Sequence, residues 1–266
     1  MPTSNCLLVE TNHHVLTLTL NQPEKRNALS FEMLETLQAA LAQSCENKDI
    51  RAVVIAANGP VFCAGHDLKE LTGHRTDADH GKAFYEHTMA LCARVMQAIV
   101  HHPRPVIAKI QGMATAAGCQ LVASCDLAIC TDNARFCTPG VNIGLFCSTP
   151  MVALSRNLPR KKAMEMLLLG EVIDAQTAQV FGLVNQVVSP DQLDNATNQY
   201  CDTLCQKSTM VLAIGKEAFY QQIEMPLEEA YHYTSAVMVK NMLHGEAIEG
   251  IGAFIEKRRP QWQHPE

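Results

Sequence analysis

Two short runs of small residues could place backbone N–H groups for catalysis. The first comprises Ala64 to His66 and the second Ala116 to Gly118, and each run follows an apolar segment of strand character. Small side chains let the backbone approach a ligand closely, and two such turns can direct N–H groups at one developing negative oxygen. The pattern therefore predicts an oxyanion hole. Tight turns with close helix packing would use the same residues, so both interpretations stay open at this point.

Three polar side chains adjoin the first of these turns. His66 could act as a general acid or base, since an imidazole ordinarily titrates near neutral pH, but its backbone N–H could equally be its only contribution. Asp67 is expected to cap the helix that follows rather than to contact a substrate. Glu70 is a second, weaker candidate for proton transfer.

The periodicity of apolar residues predicts the strands and helices that must hold these turns. Alternating leucines and threonines predict a strand over residues 15–20, and uniformly apolar runs predict strands at 52–57, 105–110 and 127–130. Ser30 is placed to cap a helix that runs to about Asn47, and a second helix is expected from Gly81 to Val100. The resulting alternation of strands and helices indicates an α/β protein.

The character of the chain changes after about Pro150. Helical segments with short connections are predicted at 161–169, 175–181, 192–207, 209–221 and 226–242. We therefore expect an α/β core with the ligand site over residues 1–190. A helical region over 191–266 is expected to mediate oligomerisation.

Composition limits the classes of partner. The chain has 266 residues, a net charge of −6, 21 basic and 27 acidic residues, and 5% aromatic residues, without a dense Lys/Arg stripe, which disfavours nucleic-acid binding. No apolar run reaches the roughly 18 residues that span a bilayer, so no membrane association is expected. Residues 1–10 contain no segment typical of an export or transit signal, which predicts a cytoplasmic location.

Cysteine and histidine patterns do not predict a metal site. The eleven cysteines form an odd set, most of them in apolar runs, which is typical of reduced, buried thiols. Their spacing does not match a zinc site. The pairs His13-His14 and His101-His102 are expected to be solvated loop residues.

Four segments in order along most of the chain resemble the crotonase (enoyl-CoA hydratase/isomerase) superfamily. Residues 23–29 resemble its first coenzyme A contact region, and residues 62–68 and 110–126 resemble its two oxyanion segments. The tail from Phe254 to Pro260 is similar to the C-terminal signature of that superfamily.

The resemblance implies a spiral of repeated strand-strand-helix units with a helical trimerisation region, assembled as a homotrimer or homohexamer. It assigns the oxyanion N–H groups to His66 and Ala117, and it implies an acyl-CoA ligand, with coenzyme A as part of the substrate and no separate cofactor. The substrate-binding residues that it implies are Lys25, Arg26, Ala28, Ala64, Asp67, Leu68, Gly118, Phe254 and Lys257.

The sequence departs from this pattern at the two positions where hydratases of the family carry catalytic glutamates. Here those positions are Gln120 and Gly140. A glutamine can orient water but exchanges no proton near neutral pH, and glycine offers no side chain. Two hypotheses follow: an enzyme that stabilises an enolate or tetrahedral intermediate without conventional hydration, or a non-catalytic acyl-CoA binding or regulatory pseudo-enzyme.

Overall fold

A computed structural model describes residues 5–262, which form two mainly parallel sheets wrapped by helices. The larger sheet has the strand order β1-β2-β3-β5-β7-β10, and the smaller has the order β4-β6-β8-β9. The strands are β1 (Leu7–Asn12), β2 (Val15–Leu20), β3 (Ala52–Ala57), β4 (Val61–Cys63), β5 (Val106–Ile110), β6 (Met113–Thr115), β7 (Leu127–Thr131), β8 (Arg135–Cys137), β9 (Ile173–Asp174) and β10 (Gln186–Val188).

Eleven α-helices are described over residues 5–262. They are α1 (Phe31–Glu46), α2 (Leu68–Gly73), α3 (Lys82–Val100), α4 (Ala117–Ser124), α5 (Pro150–Asn157), α6 (Arg160–Leu169), α7 (Ala175–Phe181), α8 (Leu193–Cys205), α9 (Thr209–Gln222), α10 (Leu227–Met242) and α11 (Gly245–Ile255). Short 3-10 helices occupy Pro23–Lys25, His74–Thr76, Pro139–Ile143 and Pro190–Gln192.

A strand-strand-helix unit repeats along the first half of the chain. The strands β3, β5 and β7 pair in parallel in the larger sheet, and each is followed by a short strand, β4, β6 or β8, in the smaller sheet. Helices then return the chain to the next unit, as a parallel connection requires. This arrangement confirms the predicted α/β spiral of repeated units.

Most predicted elements lie within two residues of their expected ends. In α1 the Ser30 hydroxyl oxygen accepts a hydrogen bond from the Met33 N–H at 3.2 Å, and Leu34, Leu37 and Leu41 are fully buried. The expected strand at residues 52–57 is β3, whose first five residues are buried, in agreement with a strand covered on both faces. Apolar periodicity and capping therefore identified the local structure correctly.

Strand β1 was not predicted from the sequence. It pairs antiparallel with β2 through a tight turn at His13 and His14, both of which have positive φ angles, 45° and 67°. Of its six residues only Leu7 is buried, so the strand lacks the apolar alternation that would have revealed it. Strand β10 and helix α11 were missed as well.

His102 is buried, and the expectation of a solvated loop residue is wrong for it. Its Nδ1 accepts a hydrogen bond from the Arg104 N–H at 3.0 Å. Its Nε2 lies 2.9 Å from the Ser44 hydroxyl, which itself donates to the Leu41 carbonyl and so has a lone pair for a proton on Nε2. The side chain joins α1 to the loop before β5. His101 is exposed, as predicted.

A buried ion pair attaches α9 to the core. The Lys216 ammonium lies 2.6 Å from Asp126 Oδ2, and the hydroxyl of Tyr220 donates to Asp126 Oδ1 at 2.9 Å. Burial raises the pKa of Asp126 and lowers that of Lys216, so each ion needs the other in order to remain charged. Helix α9 is thus fixed to the loop between α4 and β7.

All eleven cysteines are free, and all but Cys45 and Cys205 are buried. No helix within residues 5–262 is long and apolar enough to cross a membrane. The division of the chain at about residue 190 stays a prediction. Strand β10 ends at Val188, and the part of the chain described beyond it contains helices only.

The environment of His102 predicts a pH-dependent stability. Burial, reinforced by the charges of Lys216 and Arg104, lowers its pKa to about 4, whereas the unfolded chain binds the proton near 6.5. The neutral ring therefore stabilises the fold fully above about pH 6.5, and this contribution is lost as the pH falls towards 4. We expect it to reach about 3 kcal/mol in the free energy of unfolding.

The measurement is urea denaturation between pH 7 and pH 4 for the wild type, His102→Gln and His101→Gln. His102→Gln should flatten the pH dependence by that amount, while the exposed neighbour His101→Gln should leave the slope unchanged. An equal slope in all three proteins would contradict the assignment of the buried neutral ring.

Candidate functional site

The first small-residue turn is hydrogen-bonded to the segment before α1. The Ala64 N–H donates to the Arg26 carbonyl at 3.1 Å, and the Leu29 N–H donates to the Gly65 carbonyl at 2.7 Å. Gly65 has a φ angle of +84°, a conformation that favours glycine. His66 follows at once and forms a parallel bridge with Leu29. The turn is therefore held in one position from both sides.

The second turn begins α4 from an unusual backbone conformation. Ala116 has φ 50° and ψ −115°, and its N–H donates to the Cys137 carbonyl at 2.9 Å. Non-glycine residues adopt such angles only when surrounding contacts impose them. The bond to β8 is one such contact, and it leaves Ala117 as the first residue of the helix.

The two turns pack directly against each other. A Cβ atom added to Gly65 would lie 3.3 Å from the Ala117 nitrogen, and one added to Gly118 would lie 2.2 Å from the Cys63 carbonyl oxygen. Both positions therefore require glycine. Gly118 and Ala117 are buried, and Ala64 is partly exposed.

Two backbone donors remain free at this contact. Over residues 5–262, neither the His66 N–H nor the Ala117 N–H donates to a protein acceptor. Ala117 stands at the N-terminus of α4, where the first N–H groups lack partners within the helix and carry partial positive charge. The predicted donors are thus brought together on adjacent turns.

Both ring nitrogens of His66 are buried, although the residue as a whole is partly exposed. Neither ring nitrogen reaches solvent or makes a hydrogen bond to the described residues. Burial lowers the pKa of His66, and the Leu29 backbone only partly opposes this effect. An imidazole with lowered basicity and no hydrogen-bond partner to orient it is a weak candidate for a general base, so the geometry favours a backbone role for His66.

Gln120 lies on α4 one turn after Ala117 and is 4% exposed. Its side-chain oxygen lies 4.0 Å from the Cys92 sulfur on α3, and burial raises the pKa of the Cys92 thiol to about 12. Both groups are therefore uncharged near neutral pH. The side-chain nitrogen of Gln120 makes no hydrogen bond to the described residues.

Gly140 is closed to a side chain by its surroundings. A Cβ atom there would lie 2.6 Å from the Leu145 carbonyl oxygen and 2.9 Å from the Cys147 sulfur. The backbone also closes on itself, because the Leu145 N–H donates to the Gly140 carbonyl at 2.9 Å. The absence of a carboxylate at this position is therefore built into the local packing.

The two acidic residues after the first turn act as helix caps. Asp67 Oδ1 accepts hydrogen bonds from the N–H groups of Lys69 and Glu70 at the start of α2, which confirms its predicted capping role. Glu70 Oε2 accepts from the Phe31 N–H at 2.9 Å, at the start of α1. Glu70 is thus engaged in joining α2 to α1, which argues against the proton-transfer role considered for it.

The remaining predicted contact residues fall into two groups. Lys25 and Arg26 are exposed on the segment before α1 that meets the first turn, and Ala28 on the same segment is buried. Leu68, which begins α2 just after the turn, is 48% exposed. Phe254, 84% exposed, and Lys257 lie at the end of α11. No hydrogen bond, ion pair or ring contact within the described chain connects either of them to the two turns.

Asn27 was not singled out from the sequence as a candidate residue. It is fully buried beside Lys25 and Arg26, and its side chain makes three hydrogen bonds that connect separate parts of the chain. An asparagine between the basic pair and the apolar Ala28-Leu29 is a weak signal for a left-handed turn, which this residue type tolerates.

Curated relatives share this sequence along nearly its full length. The mitochondrial enoyl-CoA hydratase domain-containing protein 3 of Xenopus laevis is 46% identical over 97% of this chain and 86% of its own. Its human counterpart is 46% identical over 94% of this chain and 81% of its own. Because these relatives are named as mitochondrial proteins, the expectation of a cytoplasmic location, which rested on the first ten residues alone, is wrong.

Solved structures agree with the sequence relatives. An enoyl-CoA hydratase from Mycobacterium smegmatis superposes with a TM-score of 0.92 at 49% identity and covers 97% of this chain and 99% of its own. Human enoyl-CoA hydratase domain-containing protein 3 gives a TM-score of 0.92 at 44% identity over 97% of this chain and 100% of its own. The family profile described as Enoyl-CoA hydratase/isomerase matches residues 10–265, and the chain belongs to that family.

Proposed function

We propose that the protein binds acyl-CoA thioesters and stabilises a negative charge on the thioester oxygen with the N–H groups of His66 and Ala117. The observation that supports this most directly is the pair of free donors on two turns in contact. The names of its relatives as enoyl-CoA hydratases give the class of ligand.

In this proposal the thioester carbonyl oxygen accepts from both N–H groups. The two donors and the N-terminus of α4 stabilise the negative charge that develops when an enolate or a tetrahedral intermediate forms. Because the donors are backbone groups fixed by glycine contacts, they need no rearrangement as the charge appears. The α-proton of the bound thioester becomes more acidic for the same reason.

Conventional hydration is disfavoured at this site. Adding water to a conjugated thioester requires a base for the water and an acid for the α-carbon, and each such group contributes roughly 10²–10⁴ in rate. Gln120 exchanges no proton near neutral pH, and Gly140 has no room for a side chain. The ring of His66, whose nitrogens are both buried, does not replace them.

Binding of the coenzyme A moiety is assigned to exposed cations. Lys25 and Arg26 adjoin the first turn and suit phosphate oxygens, and Lys257 with Phe254 is proposed to reach the nucleotide from the same or a neighbouring subunit. Lys25 and Arg26 form no ion pair within the described residues. They are thus available for an anionic ligand.

Assembly as a homotrimer or homohexamer is part of the proposal. Helices α10 and α11 expose many large apolar side chains, and exposed apolar patches often mark interfaces between proteins. The large apolar residues exposed on these two helices are Leu227, Tyr231, Met238, Val239, Met242, Ile248, Ile251, Phe254 and Ile255. Contact with a second copy would cover this surface and carry Phe254 and Lys257 towards another subunit.

The alternative is a non-catalytic acyl-CoA binding or regulatory protein. The observation that favours it is the absence of a carboxylate at both Gln120 and Gly140. Such a protein would keep the free donors as a recognition device for the thioester oxygen without turning the ligand over.

The deciding experiment combines acetyl-CoA calorimetry with crotonyl-CoA turnover, followed as loss of the conjugated-thioester absorbance, on one sample. We expect binding of acetyl-CoA and little hydration. Hydration above that of Gln120→Ala would show that the missing glutamates have been replaced and that Gln120 takes part in the replacement. The absence of acetyl-CoA binding would overturn the acyl-CoA assignment.

The contact between the two turns predicts a loss of affinity in Gly65→Ala. The new Cβ would lie 3.1 Å from the Ala116 Cβ and 3.3 Å from the Ala117 nitrogen, at a φ angle of +84°. We expect acetyl-CoA affinity to fall by about tenfold or more in calorimetry, because the N–H groups separate. Gly73→Ala is the matched control, since nothing lies within 4 Å of its added Cβ. Equal affinities of the two variants would contradict the proposed donor geometry.

A carboxylate restored at position 120 should create some hydratase activity. We expect Gln120→Glu to hydrate crotonyl-CoA at least about tenfold faster than the wild type, because a general base returns beside the bound thioester. Gly140→Glu should add nothing and lower the thermal midpoint, because its side chain meets the Leu145 carbonyl. Gln97→Glu, on the exposed face of α3, is the control for added charge. No gain in Gln120→Glu over this control would show that more than a carboxylate is missing.

A further inference from the structure

We propose that Asn27 is a positioning residue that couples the coenzyme A segment, defined as residues 22–26, to the turn that carries the His66 N–H. Engagement of the cations on this segment and alignment of that N–H would then depend on one buried amide. The inference rests on the proposed function, and its observations are the contacts of Asn27.

The side chain of Asn27 joins two loops that are far apart in sequence. Its Oδ1 accepts from the Gln22 N–H at 2.8 Å, which closes the coenzyme A segment on itself. Its Nδ2 donates to the carbonyls of Asn58 and Val61, both at 2.8 Å. The residue has no solvent exposure, so each of these bonds lies in an environment where loss of a partner is costly.

Val61 connects Asn27 to the donor turn. It begins β4, the three-residue strand that ends at Cys63 immediately before Ala64. On the opposite side of the segment, the Arg26 carbonyl accepts from the Ala64 N–H at 3.1 Å. The coenzyme A segment is therefore bonded to both ends of the short stretch that presents the His66 N–H.

The backbone of the segment depends on these bonds. Arg26 and Asn27 have φ angles of 55° and 50°, and two successive left-handed residues are unfavourable unless contacts hold them. Gly59, between β3 and β4, packs against the segment so closely that an added Cβ would lie 2.6 Å from the Pro23 Cβ. The segment thus has one position relative to the turn, and the Asn27 amide fixes it.

The informative substitution is Asn27→Asp. It preserves the shape and the oxygen that accepts from Gln22 but replaces two N–H donors with an oxygen that faces the Asn58 and Val61 carbonyls. Repulsion there should separate the segment from β4. A purely structural role would lower stability without changing how the folded protein polarises a bound thioester.

The experiment measures the ¹³C chemical shift of the carbonyl of [1-¹³C]acetyl-CoA bound to the full-length protein, together with the dissociation constants of coenzyme A and acetyl-CoA. A carbonyl held by two N–H donors resonates downfield of the free ligand. In Asn27→Asp we expect this displacement to fall by about half or more, and both dissociation constants to rise about tenfold.

Asn157→Asp is the control for the same chemical change at an exposed position. The Asn157 Nδ2 also donates to two backbone carbonyls at 2.8 Å, those of Ala123 and Ala153, on α4 and α5 away from the coenzyme A segment. In Asn157→Asp the ¹³C shift of the bound carbonyl and the dissociation constants of coenzyme A and acetyl-CoA should equal those of the wild type.

Gly59→Ala tests the same coupling without altering Asn27, and it serves if Asn27→Asp does not fold. Its Cβ would push Pro23 away from the turn between β3 and β4. It should show the same loss of carbonyl shift. A folded variant of either kind with wild-type shift and affinities would overturn the inference, even if its thermal midpoint were lower. A wild type that neither binds acetyl-CoA nor displaces its carbonyl resonance would instead refute the proposed function.

Discussion

The site depends on a contact between backbones that leaves no space for side chains. A Cβ atom on Gly118 would lie only 2.2 Å from the Cys63 carbonyl oxygen at the end of β4. A Cβ atom on Gly65 would lie 3.3 Å from the Ala117 nitrogen. Strands β4 and β6 pair in parallel with a register shift between Val61 and Cys63, so the two turns leave the smaller sheet side by side. The separation of the His66 and Ala117 N–H groups is thereby fixed by packing before any ligand arrives.

The polar side chains around this contact are either neutral or already engaged in hydrogen bonds. Burial keeps the His66 ring neutral, holds the Cys92 thiol protonated and encloses Gln120, while Asp67 and Glu70 spend their oxygens on helix N-termini. In the proposed function, a negative charge that forms on a bound thioester would face the two N–H donors, while the nearby carboxylates of Asp67 and Glu70 accept from backbone N–H groups of α2 and α1. In the proposed function the two N–H groups stabilise charge while no neighbouring group exchanges a proton, so thioester binding would not entail hydration.

The late helices relate to this site through one buried attachment and one apolar surface. The Lys216–Asp126 pair fixes α9 to the loop after α4, the helix that begins with Ala117. The helices that follow α9, namely α10 and α11, expose apolar side chains. Phe254 lies in the last turn of α11, and Lys257 follows that helix. The two donor turns thus lie in the packed part of the chain, while the proposed nucleotide contacts lie on an exposed apolar surface.

The sequence alone determined the features encoded by neighbouring residues. Periodicity located β3 and α1, small residues located the two turns, and capping rules placed Asp67 at the start of α2. Ordered motifs identified the family, while the assignment of Gln120 and Gly140 to the glutamate positions stays a prediction. In each case the side chains that decide the structure lie within a few residues of one another, so the pattern is visible without the fold.

Tertiary structure decided the features that depend on distant contacts. His102 is buried because it meets Ser44, 58 residues earlier, and Glu70 caps α1 through a bond to Phe31, 39 residues earlier. The closure of Gly140 and the bridging role of Asn27 likewise arise where separate loops meet. Residue types show which groups can bond or pack, but only the folded chain determines which carbonyl or thiol stands opposite each of them, because that choice is made by packing across the two sheets.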